Sequence, residues 1–281
     1  MELHTRIYQK ENNLSPWKVL KESLQDIYNS RFLARQLAER DIRAQYRQSY
    51  LGIIWAFITP LFTAAVWIFL TLSGTIEVTE TGIPYPLFVF SGTLLWSILT
   101  ESINSPSRST NGARGLLSKI NFPKEALVIS GIYKLLFNSA VKIVLLVVFV
   151  FLFGIGFHWS LLFLPFVIIG AILVGTTIGL YITPVSMLYN DIAKIISIGL
   201  TFLMYITPVV YAIPREGIMR TLMEINPFTP IILTSRNILT GSSPEYSLYY
   251  FLVIVVCIPL FLLGLVIYRI SIPIIVERMS A

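Results

Sequence analysis

Residues 51–73 read LGIIWAFITPLFTAAVWIFLTLS, a stretch of 23 residues without a charged side chain. An α-helix rises about 1.5 Å per residue, so such a stretch can cross the roughly 30 Å hydrocarbon core of a bilayer. Directly before it stands the basic and polar segment ERDIRAQYRQSY, residues 39–50. Because arginines beside a membrane span are usually retained on the cytoplasmic side, the sequence predicts a membrane protein with a cytoplasmic N-terminus.

The composition agrees with a membrane protein. The chain is 55% hydrophobic and 13% charged, whereas a soluble domain is about 25% charged. Basic cytoplasmic loops explain the net charge of +6 better than a nucleic-acid partner does, and none is predicted. Residues 1–50 are polar and lack an apolar signal-peptide core, so the first span is expected to direct its own insertion.

Six apolar segments predict an all-α integral membrane protein. The predicted spans are residues 51–73, 85–105, 126–153, 160–188, 192–212 and 247–270. An even number returns the C-terminus to the cytoplasm, so residues 1–50 form a cytoplasmic N-terminal region and residues 271–281 a cytoplasmic tail. The segments assigned to the inside carry sixteen lysines and arginines, against three outside. This bias is the one that the positive-inside rule requires.

Two further segments are predicted to lie at the membrane surfaces. Ser15-Pro16 is typical of a helix start, and apolar residues follow it at helical spacing, namely Trp17, Leu20, Leu24 and Ile27. They predict an amphipathic interface helix, which either anchors the chain to membrane lipid or also docks a partner. On the outer side, residues 213–246 contain short apolar stretches broken by prolines. These predict short re-entrant helices at a channel mouth.

The chemistry that the sequence lacks also restricts the function. No G-x-x-x-x-G-K-[ST] phosphate loop occurs, and the two histidines, His4 and His158, are placed far from Cys257. We therefore expect no metal site, no cofactor and no enzyme activity in this chain. Ion-coupled carriers commonly need carboxylates near the middle of the membrane, and only Glu101 approaches that position. The energy for transport is expected to come from elsewhere.

Polar and aromatic residues inside the spans predict a path for a substrate. Lys134, Asn138 and Lys142 form a polar stripe on span three. Either Lys134 reaches the cytoplasmic surface while Lys142 pairs with a polar group on a neighbouring helix, or the stripe faces a hydrated path for an anionic substrate. Aromatic rings either pack and face lipid or line a conduit suited to sugar chains. The residues assigned to this path are Trp55, Phe62, Trp67, Phe202, Tyr205, Tyr211 and Lys142.

Three motifs carry a resemblance to a known family. They are ERDIRAQYRQSYLGIIWAFITP at 39–60, LLSKINFPKEALVIS at 116–130 and INPFTPIILTSRNILTG at 225–241. Together they resemble the membrane subunit of ABC exporters of cell-surface polysaccharide, such as O-antigen, capsule and teichoic acid. The resemblance runs from about residue 30 to the end. It departs at Asn190-Asp191, where the family usually has arginine-aspartate.

The resemblance implies a homodimer of this chain in the bacterial inner membrane, with two copies of a separate ATPase that binds ATP and Mg. It implies ATPase-coupling roles for one set of residues, namely Arg40, Asp41, Arg43, Tyr46, Arg47, Lys119, Phe122, Pro123 and Glu125. In the outer loop it matches Asn226, Pro227 and Arg236, which we assign to an outer gate. We expect Arg236 to seek a phosphate or a carboxylate, either as a gate that contacts lipid or as a structural salt bridge.

The function that these expectations describe is ATP-driven export of a lipid-linked surface polysaccharide. The alternative keeps the architecture and changes the cargo to a drug or a small lipid. A membrane-embedded enzyme is disfavoured, because no His, Asp or Glu residues converge on the outer side.

Overall fold

The computed structural model describes residues 15–47, 50–74, 81–189 and 191–280. Residues 1–14 of the predicted N-terminal region and residue 190 of the predicted turn lie outside these ranges. The described residues form helices connected by turns. The helices are α1 Pro16–Asn29, α2 Arg31–Arg47, α3 Trp55–Leu72, α4 Tyr85–Gly112, α5 Arg114–Leu117, α6 Glu125–Leu152, α7 Leu164–Leu188, α8 Asp191–Tyr205, α9 Ile218–Ile225, α10 Thr229–Thr240 and α11 Ser247–Ser280.

A helix lies at each of the six predicted spans, but the helices differ in length. Among the described residues, four helical segments are long and apolar enough to cross a membrane: α4, α6, α7 with its preceding turn, and α11. Helices α3 and α8 have 18 and 15 residues. They are therefore about 27 and 22 Å long. The count of six crossings consequently stays a prediction for these two helices.

Two helix ends differ from the predicted segment boundaries. The fifth apolar segment was expected to run from 192 to 212, but α8 ends at Tyr205. Pro208 explains the early end, because proline lacks an N–H group and disfavours helical backbone in the residue before it. At the other end of the chain, α11 continues without a break through the predicted tail to Ser280.

Helix α4 lies at the centre of the bundle. In its most apolar stretch 78% of residues are buried, against 28% in α6 and 22% in α11. Helix α7 packs closely against it at Gly175 and Gly179. A Cβ atom added at Gly175 would lie 2.4 Å from the Ser102 Cβ, and one at Gly179 would lie 2.4 Å from the Ile103 carbonyl oxygen. Glycine at such contacts lets two membrane helices approach through their backbones.

The first helix packs against the rest of the chain mainly with residues outside its predicted apolar stripe. In α1 the buried residues are Val19, Ser23 and Asp26. The side chains of Trp17 and Leu24, from the predicted apolar stripe, are 76% and 46% exposed. Trp17 and Leu24 therefore point away from the described part of the chain, whereas Ile27 packs against its core. The choice between lipid and a partner stays open.

The segment after α8 contains two short helices, as the prolines predicted. Helix α9 is amphipathic and mostly exposed, whereas α10 is largely buried against α4 and α7. Gly241 ends α10 in the left-handed conformation, with φ of 73°. Only glycine adopts this backbone readily. The depth of these helices in the membrane stays a prediction.

Candidate functional site

A cavity of about 440 Å³ lies between the end of α2 and the helices α3, α4, α6 and α8. Two indole rings, Trp55 and Trp96, form part of its wall. Most of the other lining side chains are polar and uncharged, namely Gln45, Tyr46, Thr59, Thr63, Thr93, Ser97, Thr100 and Asn138. Polar side chains gathered inside an apolar bundle are costly in a membrane protein and usually have a function.

The charged residues of this cavity, Glu101 and Lys142, form an ion pair. Lys142 Nζ lies 2.8 Å from Glu101 Oε1, and the lysine side chain is only 7% exposed. The two atoms are close, but their angles do not meet hydrogen-bond geometry, so Nζ and the second carboxylate oxygen, Oε2, are both buried without a hydrogen-bond partner. The prediction that Lys142 pairs with a polar group on a neighbouring helix is thereby confirmed.

The end of α2 contacts the cavity wall through Tyr46. Its hydroxyl donates a hydrogen bond to Asn138 Oδ1 at 3.3 Å. Its ring lies 6.5 Å from that of Phe137, at a tilt of 58°. Tyr46 thus connects the helix before the first span to the polar stripe of α6. Asn138 and Lys142 of that stripe both line the cavity.

Four threonine and serine hydroxyls of the wall are already committed as donors. Thr63 donates to the Thr59 carbonyl oxygen at 3.0 Å. Ser97 donates to the Leu94 carbonyl at 2.8 Å, and Thr93 and Thr100 donate to α4 carbonyls in the same way. A hydroxyl has one hydrogen to donate and two lone pairs that accept. These residues therefore offer the cavity mainly acceptors.

The structure brings only part of the predicted substrate path together. Trp55 and Lys142 line the cavity. Phe62, Phe202 and Tyr205 are 70%, 65% and 43% exposed on α3 and α8, whereas Trp67 and Tyr211 are partly buried against the central core. The assignment of these five aromatics to a path stays a prediction.

Helix α4 contributes a wall of the cavity that was not predicted from the sequence. Thr93, Trp96, Ser97, Thr100 and Glu101 all line the cavity. Their spacing of three and four residues places them on one face of a helix, and this recurrence was the available signal. The edge of Trp96 also meets the ring of Phe228, with centroids 6.0 Å apart and planes at 88°. This contact connects the cavity to the turn before α10.

Comparison with known proteins identifies the family. The family model described as "ABC-2 type transporter" matches residues 33–240. This chain belongs to the ABC-2 type transporters. The family is one of transport membrane subunits rather than catalytic subunits, and its members in general work with an ABC ATPase.

Three curated relatives of this ABC-2 chain share one name. It is 25% identical over 218 residues to the O-antigen export system permease protein RfbA of Myxococcus xanthus, covering 76% of this chain and 83% of the relative. Two proteins of the same name from Klebsiella pneumoniae are 22% identical over 226 residues and 24% identical over 216 residues. The matches cover 76% and 75% of this chain and 84% and 81% of those relatives.

In this ABC-2 chain the predicted coupling residues of α2 line a second surface. A shallow concavity of about 520 Å³ lies along Arg40, Arg43 and Arg47. Arg40 forms an ion pair with Asp41 at 2.8 Å. The Arg43 side chain, by contrast, is 83% exposed, and its nearest carboxylate oxygen, on Glu39, is 4.0 Å away. This basic surface is accessible to a partner. Its role in coupling stays a prediction.

The predicted coupling loop divides into an exposed part and a buried part. Lys119 is exposed, and Phe122 and Pro123 are partly exposed. Lys124 Nζ donates to the Phe122 carbonyl oxygen at 2.9 Å and lies 5.2 Å from the Phe122 ring centroid. Burial lowers the pKa of Lys124, and the neighbouring Glu125 opposes this shift. These contacts stabilise the turn that enters α6.

Glu125, by contrast, is buried among other helices of the same chain. It is 1% exposed and accepts a hydrogen bond from Ser23 Oγ at 2.9 Å. Arg269 of α11 lies 2.5 Å from Glu125 Oε1, 2.8 Å from Asp26 and 3.4 Å from Glu22. We name Glu22, Asp26, Glu125 and Arg269 the α1 charge cluster. A coupling role for Glu125 stays a prediction, but its carboxylate contacts α1 and α11 rather than an outside surface.

The predicted outer-gate residues lie at the joint between α8 and α10. Asn226 donates to the Ile206 carbonyl oxygen at 3.1 Å and to Thr207 Oγ1 at 2.8 Å, while Pro227 is exposed. Together with the Pro208 break, these bonds shape the chain between the two helices. Gating by these residues stays a prediction.

The expectation that Arg236 pairs with a phosphate or a carboxylate was wrong. Arg236 is 3% exposed. Its guanidinium donates to the carbonyl oxygens of Pro208 at 2.9 Å, Val209 at 2.7 Å and Phe88 at 3.3 Å. It also lies over the Phe88 ring at 3.6 Å from the centroid. The carbonyls of Pro208 and Val209 lie at the break after α8, where they have no helical partner. Arg236 satisfies both of them.

Proposed function

We propose that this chain is the membrane subunit of an ATP-driven exporter that moves a lipid-linked surface polysaccharide across the bacterial cytoplasmic membrane. In this proposal two copies of the chain form a homodimer and two copies of a separate ATPase bind on the cytoplasmic side, where both termini lie. The ATPase binds ATP and Mg, and this chain supplies the path. The names of the curated relatives support the choice of a surface polysaccharide as cargo.

The observation that carries the proposal is the cavity lined by Trp55, Trp96 and uncharged polar side chains. Aromatic rings offer flat apolar faces, and the Thr, Ser, Asn and Gln side chains offer hydrogen bonds. Sugar rings have the matching two surfaces, an apolar face and a polar edge. A drug or small lipid, the alternative cargo, would contact the rings but would not use the acceptor lone pairs that these polar groups keep.

Helix α2 offers a route by which an ATPase could act on this cavity. Arg43 and Arg47 lie on its accessible basic surface, whereas Gln45 and Tyr46 line the cavity. Within about one and a half turns, α2 therefore contributes residues to both the basic surface and the cavity. A push on α2 would displace Tyr46 and strain its hydrogen bond to Asn138. We propose that ATP hydrolysis opens the cytoplasmic side of the cavity in this way.

The experiment compares tryptophan variants of the full chain, produced with its ATPase in a strain lacking the native gene. We expect Trp55→Ala and Trp96→Ala to lower the surface polysaccharide made per folded copy of the protein in the membrane. Folded protein is measured for each variant, because the Trp96 ring is buried and also packs in the core. Stacking of a nucleobase on one aromatic ring is worth about 1–3 kcal/mol, and we take this range as the bound for a sugar ring. Each variant should therefore weaken export by between about fivefold and a hundredfold.

Trp159→Ala provides the matched control, because its indole is 79% exposed and does not line the cavity. It should export normally. If export falls only in proportion to the amount of folded protein, the two rings serve packing rather than transport. Normal export in the double variant of Trp55 and Trp96 would remove the cavity from the transport path.

A further inference from the structure

We infer that the cavity accepts uncharged, hydroxyl-bearing sugar units and disfavours anionic ones. The inference rests on the proposed function, and it concerns the part of the cargo inside the cavity rather than a phosphate of the lipid carrier. It follows from the charge of the wall and from the direction of its hydrogen bonds.

Among the residues that the structure describes, the wall carries no net charge. Glu101 and Lys142 are its formally charged side chains, and their charged atoms lie 2.8 Å apart. The arginines of α2 do not line the cavity. A buried charge is costly unless it is paired, and here the one available cation already has its partner. An anionic sugar would have to break that pair or remain unpaired, whereas a neutral sugar pays neither cost.

The hydrogen-bonding capacity of the wall also matches hydroxyl groups. The Thr and Ser hydroxyls donate to their own helices and leave acceptor lone pairs toward the cavity. Glu101 Oε2 is a buried acceptor without a partner, and Lys142 Nζ beside it keeps unfilled donor capacity. A sugar hydroxyl both donates and accepts, so it can satisfy such a wall. A carboxylate or sulfate only accepts, so it would leave these hydroxyl lone pairs and Glu101 Oε2 without donors. It would depend on the amide groups of Gln45 and Asn138 and on the paired Lys142.

The test measures binding of two matched probes to the purified full chain in detergent by isothermal titration calorimetry. One probe is a neutral linear α-glucan heptasaccharide, and the other is the same heptasaccharide oxidised to carboxylates at C6. The net charge of +6 attracts anions unspecifically, so the buffer contains about 0.15 M salt, where the Debye length is about 8 Å. We expect the native chain to bind the neutral probe at least tenfold more tightly.

Charge variants then test the cause. Glu101→Gln leaves Lys142 as an unpaired cation and should reverse the preference toward the oxidised probe. The double variant Glu101→Gln with Lys142→Gln has a neutral wall again and should regain the native preference. Because it has no unpaired charge, the double variant also guards against a single variant that fails to fold.

Three results would overturn the inference: equal or tighter binding of the oxidised probe by the native chain, binding of neither probe, or an oxidised-probe preference in the double variant. Each of these leaves the proposed function standing if the Trp55 and Trp96 variants still lose export. Loss of that export phenotype would instead count against the proposed function itself.

Discussion

Replacement of Arg269 by methionine should release α1 from the bundle. Methionine preserves most of the length and the apolar stem of the side chain but removes the cation. In the α1 charge cluster this cation faces Glu125, Asp26 and Glu22. Its loss would leave three carboxylates near one another, with the Glu125 side chain 1% exposed and the Asp26 side chain 11% exposed.

The magnitude follows from burial. Removing one partner of a buried ion pair costs about 3–5 kcal/mol, because the other charge is left without compensation. The Arg269 side chain is 16% exposed, so we take the lower end, about 3 kcal/mol. The chain can relieve this cost by separating α1, whose Glu22 and Asp26 belong to the cluster, from Glu125 on α6. A loss of about 3 kcal/mol corresponds to roughly a hundredfold shift from docked to undocked α1.

Hydrogen exchange of the backbone amides, followed by mass spectrometry, measures that shift directly. Peptides from α1 should lose protection by about a hundredfold in Arg269→Met, while peptides from α4 stay protected. Arg278→Met is the matched control, since it removes an exposed arginine from the same helix. Exchange in α1 within twofold of the native rate would refute the reasoning and show that apolar contacts alone hold α1.

Three other outcomes are expected. Gly92→Ala should destabilise the fold, because its Cβ would lie 1.9 Å from the Val209 carbonyl oxygen; a thermal melt in detergent checks this, and Gly199→Ala, with no atom within 4 Å, should melt normally. Arg236→Lys should also lower the melting temperature, because one ammonium cannot reach all the carbonyls that the guanidinium satisfies. Each buried carbonyl left unpaired costs about 1–3 kcal/mol, and an unchanged melting temperature would contradict this role of Arg236. Phe122→Ala should leave ATP hydrolysis by the assembled transporter intact while export falls, and normal export would remove the ring from coupling.

Much of the candidate site was predictable from helical spacing. The stripe of Asn138 and Lys142 was read from α6 alone, and both residues line the cavity. The facing wall on α4 was missed because its Thr and Ser residues resemble ordinary helix-compatible polar positions until another helix is placed opposite. The aromatics Phe62 and Phe202 do not line this cavity, and their place in a path stays a prediction, since a ring on an apolar helix has the same sequence signal whether it faces a cavity or the outside.

The sequence by itself determined where the apolar helices lie and to which family the chain belongs. Hydropathy and charge bias are sums over neighbouring residues, so they can be read without knowing any contact. Only the tertiary structure decided what the charged residues do, because a partner depends on which helix faces meet. Lys142 pairs with Glu101, Glu125 with Arg269, and Arg236 with carbonyls freed at a helix break. Helix α4 is the least apolar of the four long helical segments and the most buried of them. Protein rather than lipid surrounds it, so it needs fewer apolar side chains.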